Sequence, residues 1–285
     1  MNTNIHLVEC PRDAMQGWPG FIPTSQKIAY INALLAVGFD TIDFGSFVSA
    51  KAIPQMADTR EVLEQLILDN TNTKLLAIVA NSRGAEEAGF FEKVTYLGFP
   101  FSVSPTFQRR NTNSSMEVSL MTVEAIQEIC LHRNKQAVVY ISMGFGNPYQ
   151  DPYSEEMVLM WIDKLVELGI GIISLADTVG LAKPSQISSL LHAVIPTYPK
   201  VQVGIHLHST SSNWQQKIDA ALSAGCTRFD GALRGIGGCP MADDELVGNI
   251  DTALMILYFE QQGLLNGIHQ EQLQRCLLLA DEIFK

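Results

Sequence analysis

The sequence has few basic residues for its length, and this shortage excludes two classes of partner. It contains 19 lysines and arginines against 30 aspartates and glutamates in 285 residues, a formal net charge of −11. Nucleic acids and anionic membranes call for a basic protein surface. We therefore expect neither partner, and a polyanionic ligand would have to meet a local basic cluster.

Cysteines and long apolar runs are also scarce. The five cysteines (Cys10, Cys130, Cys226, Cys239 and Cys276) are odd in number and show no C-x-x-C spacing, which is typical of free thiols in a reducing compartment. No apolar run reaches the ~18 to 20 residues that span a bilayer. The four residues before the first predicted strand are too few for a signal peptide. We expect a soluble, cytoplasmic protein.

The chain does contain a regular alternation of short apolar runs and longer stretches of helical period, which is typical of repeated βα units. The predicted strands are 5–9, 41–44, 75–79, 94–99, 137–142, 172–175, 201–206 and 228–231. The predicted helices are 25–37, 59–68, 83–88, 115–133, 154–168, 184–195, 211–224 and 245–262. Eight units predict a (β/α)8 TIM barrel, one domain over 1–285, with an extra C-terminal helix at 270–284. A doubly wound open sheet is the alternative, disfavoured because no G-x-G-x-x-G follows the first strand.

Two histidines, His206 and His208, lie one residue apart at the end of the seventh predicted strand. Residues i and i+2 of a strand project from the same face, so both imidazoles can approach one metal ion. An isolated pair of this kind is more often structural, and a metal site needs further ligands. In a barrel those ligands would lie at the carboxyl ends of other strands.

Several motifs, taken together and in order, resemble those of the 3-hydroxy-3-methylglutaryl-CoA lyase family. They are Val-Glu-Cys-Pro-Arg-Asp at 8–13, Ser-Phe-Val-Ser-Ala-Lys at 46–51, Pro-Gln-Met at 54–56, Ser-Leu-Ala-Asp-Thr-Val-Gly at 174–180, His-Leu-His at 206–208 and Gly-Gly-Cys-Pro at 237–240. The resemblance implies a metal-dependent TIM barrel. It also implies a divalent ion, Mg²⁺ or Mn²⁺, held by Asp13, His206, His208 and Asn249.

The resemblance further implies catalytic roles for other residues. Arg12 would neutralise the charge that develops on a thioester enolate, although a structural ion pair with Asp43 or Asp177 is the alternative. Cys239 would deliver a proton to the departing enolate, and its alternative is a small buried packing residue. Asp43 and Asp177 would hold ligands and substrate in place or relay protons.

A coenzyme A tail would need basic residues near the barrel mouth, because its phosphates are anionic. Lys51, Arg109 and Arg110 are available for this role, and a solvated surface face is the alternative for the two arginines. We also expect that the protein could form a homo-oligomer.

The chain departs from the family pattern near these motifs, first at 14–15 and 17–18, after Asp13, and then at three further positions. Asp43 stands where the family has glutamate, Ser209 follows His208 in place of aspartate, and Ala253 replaces an acid. The expected function is cleavage of a 3-hydroxy-3-methylglutaryl-CoA-like thioester to acetyl-CoA and acetoacetate by retro-Claisen chemistry. Two alternatives are another aldolase or acyl-CoA condensing enzyme of the superfamily, and a barrel that binds metal and ligand without turnover.

Overall fold

Eight parallel strands close into a barrel in the computed structural model, which describes residues 5–238 and 247–285. Each strand pairs with the next, and β8 pairs with β1. The strands are β1 (His6–Glu9), β2 (Thr41–Ser46), β3 (Lys74–Ile78), β4 (Val94–Ser102), β5 (Gln136–Ser142), β6 (Ile172–Asp177), β7 (Gln202–Ser209) and β8 (Arg228–Gly231). The predicted (β/α)8 barrel is therefore confirmed.

Helices connect the strands and cover the outside of the barrel. They are α1 (Pro11–Gln16), α2 (Thr24–Leu35), α3 (Thr59–Glu64), α4 (Ser82–Gly89), α5 (Pro105–Thr112), α6 (Met116–Arg133), α7 (Glu155–Glu167), α8 (Pro184–Thr197), α9 (Trp214–Ser223), α10 (Thr252–Gln261) and α11 (Gln270–Ile283). Serine side chains cap the long helices locally: Ser115 accepts from the N–H of Val118, and Ser154 accepts from the N–H of Met157. Such caps satisfy N–H groups that the first turn leaves open. The extra C-terminal helix is confirmed as α11.

The structure differs from the sequence-based prediction around the eighth unit. The predicted helix 245–262 begins only at Thr252, because Gly248–Asn249 form a short strand, β9, antiparallel to β7. Two further helices, α1 and α5, follow β1 and β4 directly and were not predicted. Both begin with a proline, whose fixed φ suits the first helical position, but they are too short to show a helical period.

Apolar side chains form two layers. The larger lies between strands and helices, and the smaller lies inside the barrel and consists of Leu76, Ile78, Val138, Tyr140 and Ile172. The four cysteines within the described ranges are buried and unbridged, as expected for packing residues. No helix in the described part of the chain is long and apolar enough to cross a membrane.

Candidate active site

Arg12 and Asp13 lie in the first turn of α1, directly after β1. Their side chains are bonded to each other, with Arg12 Nη1 donating to Asp13 Oδ1 at 3.1 Å. Gln16, one turn later, donates to the same oxygen at 2.8 Å. The short helix thus fixes the Asp13 carboxylate at the carboxyl end of the barrel, where barrel enzymes place their chemistry.

Asp43, on β2, holds the guanidinium of Arg12. The Nε atom donates to Asp43 Oδ2 at 3.0 Å and Nη2 donates to the same oxygen at 2.5 Å, and Asp43 is 1% exposed. The ion pair with Asp43 considered above is therefore present. Burial raises the pKa of Asp43 to about 6, against the lowering effect of Arg12. The pKa of Arg12 is raised, because Asp43 and Asp13 outweigh the opposing effect of burial.

His206 and His208 lie on β7 with buried side chains, and their ring centroids are 5.4 Å apart. β9 adds antiparallel to the end of β7 and pairs Asn249 with His208. Strand pairing therefore brings Asn249 beside the histidines. Gly237 allows this approach: its φ is +101°, and a Cβ there would lie 2.7 Å from the Asn249 amide nitrogen.

The four residues suggested as metal ligands meet at one place. Ligand atoms of Asp13, His206 and His208 lie within 4.8 Å of one another. Asn249 Nδ2 donates to Asp13 Oδ2 at 2.7 Å, whereas its Oδ1 is buried and has no hydrogen-bond partner among the described residues. A buried carbonyl oxygen without a donor is costly, so this orphaned atom fits a bound cation. Two imidazoles, a carboxylate and a carbonyl suit a hard or intermediate divalent ion.

The pKa values of the three titratable residues in this cluster shift in different directions. Burial would raise the pKa of Asp13, but Arg12 and the two histidines lower it overall. Burial would lower the pKa of His206, yet contacts with Asp230 and Asp13 raise it. Burial and the neighbouring His206 lower the pKa of His208. A neutral His208 is ready to act as a metal ligand.

Asp177 lies apart from this cluster. It ends β6 beside Leu207 in the strand register, and its Oδ2 accepts from Lys217 Nζ at 2.7 Å. Lys217, on α9, also donates to the backbone carbonyl of His208 at 2.7 Å. The pair therefore anchors the end of β7 from the outside of the barrel, and Asp177 makes no ion pair with Arg12.

A cavity opens beside the ligand cluster at the carboxyl end of the barrel. Its polar wall carries Arg12, Gln16, Ser142 and Thr178, and its apolar wall is formed by Val48, Ile53, Ile78, Pro100 and Phe107. The polar wall is where the oxygens of a substrate could be bound.

The three basic residues suggested for the coenzyme are not among the residues that line this cavity. Arg109 and Arg110 are exposed on α5, which also carries Phe107, Asn111 and Thr112 of the wall. The guanidinium of Arg110 lies 4.7 Å from the ring centre of Tyr149. Lys51 is exposed in the loop that supplies Val48 and Ile53. Arg109 and Arg110 instead line a separate surface pocket, together with Pro105 and Glu117.

Sequence reasoning missed two buried charged residues near the site. Lys217 lies on a helix, and nothing in the sequence marks it as a partner of Asp177. Asp230 lies on β8 and faces His206, with Oδ2 at 3.5 Å from His206 Nδ1. Its position two residues after Arg228, both in one strand, was a usable signal, because alternate residues share a face. Cys239 lies outside the described residues.

Comparisons with known proteins identify relatives of this chain. A sequence model of the HMGL-like family matches residues 5–279. The chain is 34% identical to a hydroxymethylglutaryl-CoA lyase of Bacillus subtilis, over 92% of this chain and 87% of that protein. It is 31% identical to (R)-citramalyl-CoA lyase of Chloroflexus aurantiacus, over 90% of this chain and 84% of that protein.

Among solved structures, the chain superimposes on an HMG-CoA lyase of Acinetobacter baumannii in complex with coenzyme A and 3-methylmalate. The TM-score is 0.92 at 30% sequence identity, and the match covers 100% of this chain and 92% of that one. The HMG-CoA lyase of Bacillus subtilis gives the same TM-score at 31% identity, over 99% of this chain and 95% of that one. Fold and sequence therefore point to the same set of relatives.

Proposed function

The chain belongs to the HMGL-like family, and we propose that it is a metal-dependent carbon–carbon lyase that cleaves a 3-hydroxy-3-methylglutaryl-CoA-like thioester to acetyl-CoA and acetoacetate. The observation that carries the proposal is the cluster of Asp13, His206, His208 and Asn249, in which the buried Asn249 Oδ1 has no partner among the described residues. We place the enzyme in the cytoplasm and treat 1–285 as one catalytic domain.

The proposed metal ligands are Asp13, His206, His208 and Asn249, and the ion is Mg²⁺ or Mn²⁺. When bound, such an ion acts as a Lewis acid toward substrate oxygens and lowers the pKa of a coordinated hydroxyl group. Gln16 and Arg12 hold the Asp13 carboxylate in the orientation that this binding requires.

Arg12 supplies fixed positive charge where the substrate becomes negative. Of its five N–H donors, one on each nitrogen is used by Asp43 or Asp13, which leaves two for substrate oxygens. A general base accepts the proton of the substrate hydroxyl, a ketone forms at that carbon, and the adjacent C–C bond breaks, so that its electrons pass into a thioester enolate. A guanidinium held by buried carboxylates is already oriented toward that enolate, so no reorganisation is needed.

The remaining proton transfer falls to Cys239, which lies beyond the described residues. The enolate carbon must gain one proton to become the acetyl group, and a thiol of ordinary pKa ~8.5 is a suitable acid. Asp43 holds Arg12 and can exchange a proton near neutral pH. Asp177 acts through Lys217 on the end of β7. Lys51, Arg109 and Arg110 would meet the phosphates of coenzyme A.

The test is a substrate panel read by mass spectrometry. Purified protein is incubated with 3-hydroxy-3-methylglutaryl-CoA, with citramalyl-CoA, and with free 4-hydroxy-2-oxo acids, each with Mg²⁺, Mn²⁺ or a chelator. We expect acetyl-CoA and acetoacetate from the first substrate, and only with metal. If citramalyl-CoA is turned over faster than 3-hydroxy-3-methylglutaryl-CoA, the acyl specificity matches the substrate for which the Chloroflexus relative is named. Cleavage of the free oxo acid alone would identify an aldolase, and no turnover at all would identify a binding protein.

A further inference from the structure

The two proposed metal histidines differ in the group that orients each ring. Nδ1 of His208 lies 2.9 Å from the backbone carbonyl oxygen of Val247. A carbonyl oxygen only accepts, so Nδ1 carries the proton and Nε2 is left for the metal. Nδ1 of His206 lies 3.5 Å from Asp230 Oδ2 and makes no hydrogen bond within the described residues.

Asp230 is a buried carboxylate that lacks a hydrogen-bond donor among the described residues. It is 2% exposed, and both of its oxygens lack a hydrogen bond to any residue of the described ranges. In the β7–β8 register it pairs with His206, so the two side chains enter the barrel interior together. A buried carboxylate without a donor costs several kcal/mol, and the ring N–H of His206 can remove this cost by moving a few tenths of an ångström.

We propose that Asp230 is a positioning residue that accepts a hydrogen bond from Nδ1–H of His206 and so presents Nε2 to the metal. This role rests on the metal ligands proposed above. A carboxylate behind a ligating imidazole fixes the tautomer and the ring orientation and makes the other nitrogen a better ligand. The carbonyl oxygen of Val247 fixes the tautomer and the ring orientation of His208 in the same way.

Arg228 is a buried residue of opposite charge on the same strand as Asp230. It lies two residues earlier on β8, is 0% exposed, and donates through Nη1 to Gln202 at 3.4 Å. Burial would lower the pKa of Arg228, but the charge of Asp230 raises it overall. Arg228 thus places a positive charge two residues from Asp230 on β8, and Asp230 Oδ2 faces Nδ1 of His206.

The alternative role for Asp230 is that of a direct metal ligand, and the experiment must distinguish it from the positioning role. Ligand atoms of Cys10, His206 and Asp230 also lie within 4.8 Å of one another, and a thiolate, an imidazole and a carboxylate would suit Zn²⁺. In that case Nδ1 of His206 would bind an ion and carry no proton. The tautomer of His206 therefore distinguishes the two arrangements.

The experiment measures the tautomer and the metal affinity separately. The ring ¹⁵N resonances of metal-free protein, assigned with His206→Ala, should show the Nδ1–H form in wild type and the Nε2–H form in Asp230→Ala. Mn²⁺ affinity, measured by electron paramagnetic resonance, should fall about 10- to 100-fold in Asp230→Ala. Asp230→Asn keeps an acceptor oxygen and serves if the alanine variant does not fold. Asp230→Asn should lower the Mn²⁺ affinity less than Asp230→Ala does, but more than the control variant does.

Asp40→Asn is the matched control. Asp40 Oδ2 lies 2.9 Å from Nδ1 of His6, at the amino end of the barrel, so the variant removes a carboxylate from a histidine remote from the metal ligands. Its Mn²⁺ affinity should equal that of wild type.

Each outcome decides the proposal. If the Nδ1–H tautomer of His206 persists in Asp230→Ala and Mn²⁺ affinity is unchanged, Asp230 does not position the ring. Two Zn²⁺ ions per chain in wild type but one in Cys10→Ser would also overturn it, since Asp230 would then be a ligand. If His206→Ala binds Mn²⁺ as wild type does, the proposed metal set fails, and the tautomer measurement still decides the role of Asp230.

Discussion

The two ends of the barrel differ in how completely their polar groups are hydrogen-bonded within the protein. At the amino end, Lys93 donates through Nζ to the backbone carbonyls of Leu63, Glu64 and Leu66 at 2.8 to 3.1 Å. Lys135 does the same at the next unit, with Nζ 2.6 Å from the carbonyl oxygen of Val94. Lys93 thus binds carbonyls at and just beyond the end of α3, where a positive charge is favourable, whereas Lys135 binds the first residue of β4.

At the carboxyl end, the buried polar groups are left only partly paired. Asn249 Oδ1, both oxygens of Asp230 and Nδ1 of His206 are buried without hydrogen bonds in the described part of the chain, and Arg12 keeps unused donors toward the cavity. A group that is fully satisfied within the protein stabilises the fold, whereas one left open at the strand ends is available to a ligand. Arg228 is an exception near the amino end, because its buried Nε and Nη2 have no partner among the described residues.

The largest effect should follow from removing a proposed metal ligand at the carboxyl end. His208→Ala should reduce kcat/KM by about 10³- to 10⁴-fold, because the several kcal/mol of charge stabilisation by the ion is lost. Mn²⁺ affinity should fall in parallel. His6→Ala, at the amino end, is the control and should leave both quantities unchanged. Wild-type metal stoichiometry and affinity in His208→Ala would contradict the ligand set.

The next largest effect is expected for Cys239→Ser. Serine keeps the size of the side chain but is a much weaker acid, so kcat should fall on the order of 10²- to 10⁴-fold with metal affinity intact. Alkylation of wild type should modify Cys239 before the four buried cysteines, and bound substrate should slow it. The control is Cys130→Ser, at a buried position of α6. Turnover near wild type in Cys239→Ser would leave this residue without a catalytic role.

Arg12→Lys should act on kcat more than on KM. Lysine keeps the charge but cannot reproduce the paired contacts of Nε and Nη2 with Asp43, so the cation is no longer held toward the enolate. A loss of about 10²- to 10³-fold in kcat is expected, as for removal of one oxyanion donor. Arg60→Lys, in an exposed pair with Glu87, is the control. A change confined to KM would show that Arg12 only anchors the substrate.

The amino end should respond through stability alone. Lys93→Met removes three hydrogen bonds to carbonyls at the end of α3 and should lower the free energy of unfolding by about 1 to 3 kcal/mol. Its kcat and KM should remain those of wild type. Denaturant unfolding and steady-state kinetics on the same preparation check both statements. Exposed Lys200→Met is the control, and a loss of kcat in Lys93→Met would break the division between the two ends.

Local sequence pattern was sufficient for the strands and the long helices but not for the short elements that complete the site. All eight barrel strands fall where the apolar runs placed them, because burial on both faces produces continuous β-branched stretches. β9 has two residues, and only its pairing with β7 defines it, so no local signal exists. Lys217 also has no local signal in the sequence, because its contact with Asp177 joins α9 to the end of β6.

The candidate site was predictable to the extent that its residues lie at strand ends or in recognisable motifs. His206 and His208 were found from their spacing on a strand, whereas Asp13 and Asn249 entered the ligand set through the family resemblance. Asp230 fulfilled the strand-end condition and shares a face with Arg228, but no motif includes it and it was passed over. Its importance depends on facing His206, which is a property of the closed barrel.

Glu9 extends the comparison to the outer face of the carboxyl end, where the expected effect depends on pH. The residue ends β1, is 0% exposed, and its Oε1 accepts from the N–H of Leu233 at 2.9 Å. Burial raises its pKa from 4.5 to about 8, against smaller lowering effects of Thr252 and Leu233.

Between pH 4.5 and about 8 the folded state keeps a proton on Glu9 that the unfolded state releases. Stability should therefore fall as pH rises through this window, by up to about 1.4 kcal/mol per pH unit from this group, and level off on either side. Glu9→Gln keeps the acceptor for Leu233 and removes the titration, so it should match or fall slightly below wild type at pH 4.5 and exceed it near pH 8. Unfolding free energies from denaturant titrations at several pH values measure the difference between the two curves, and exposed Glu128→Gln gives the background. Parallel curves for Glu9→Gln and wild type across the window would show that Glu9 is ionised in the folded protein and that its burial is compensated.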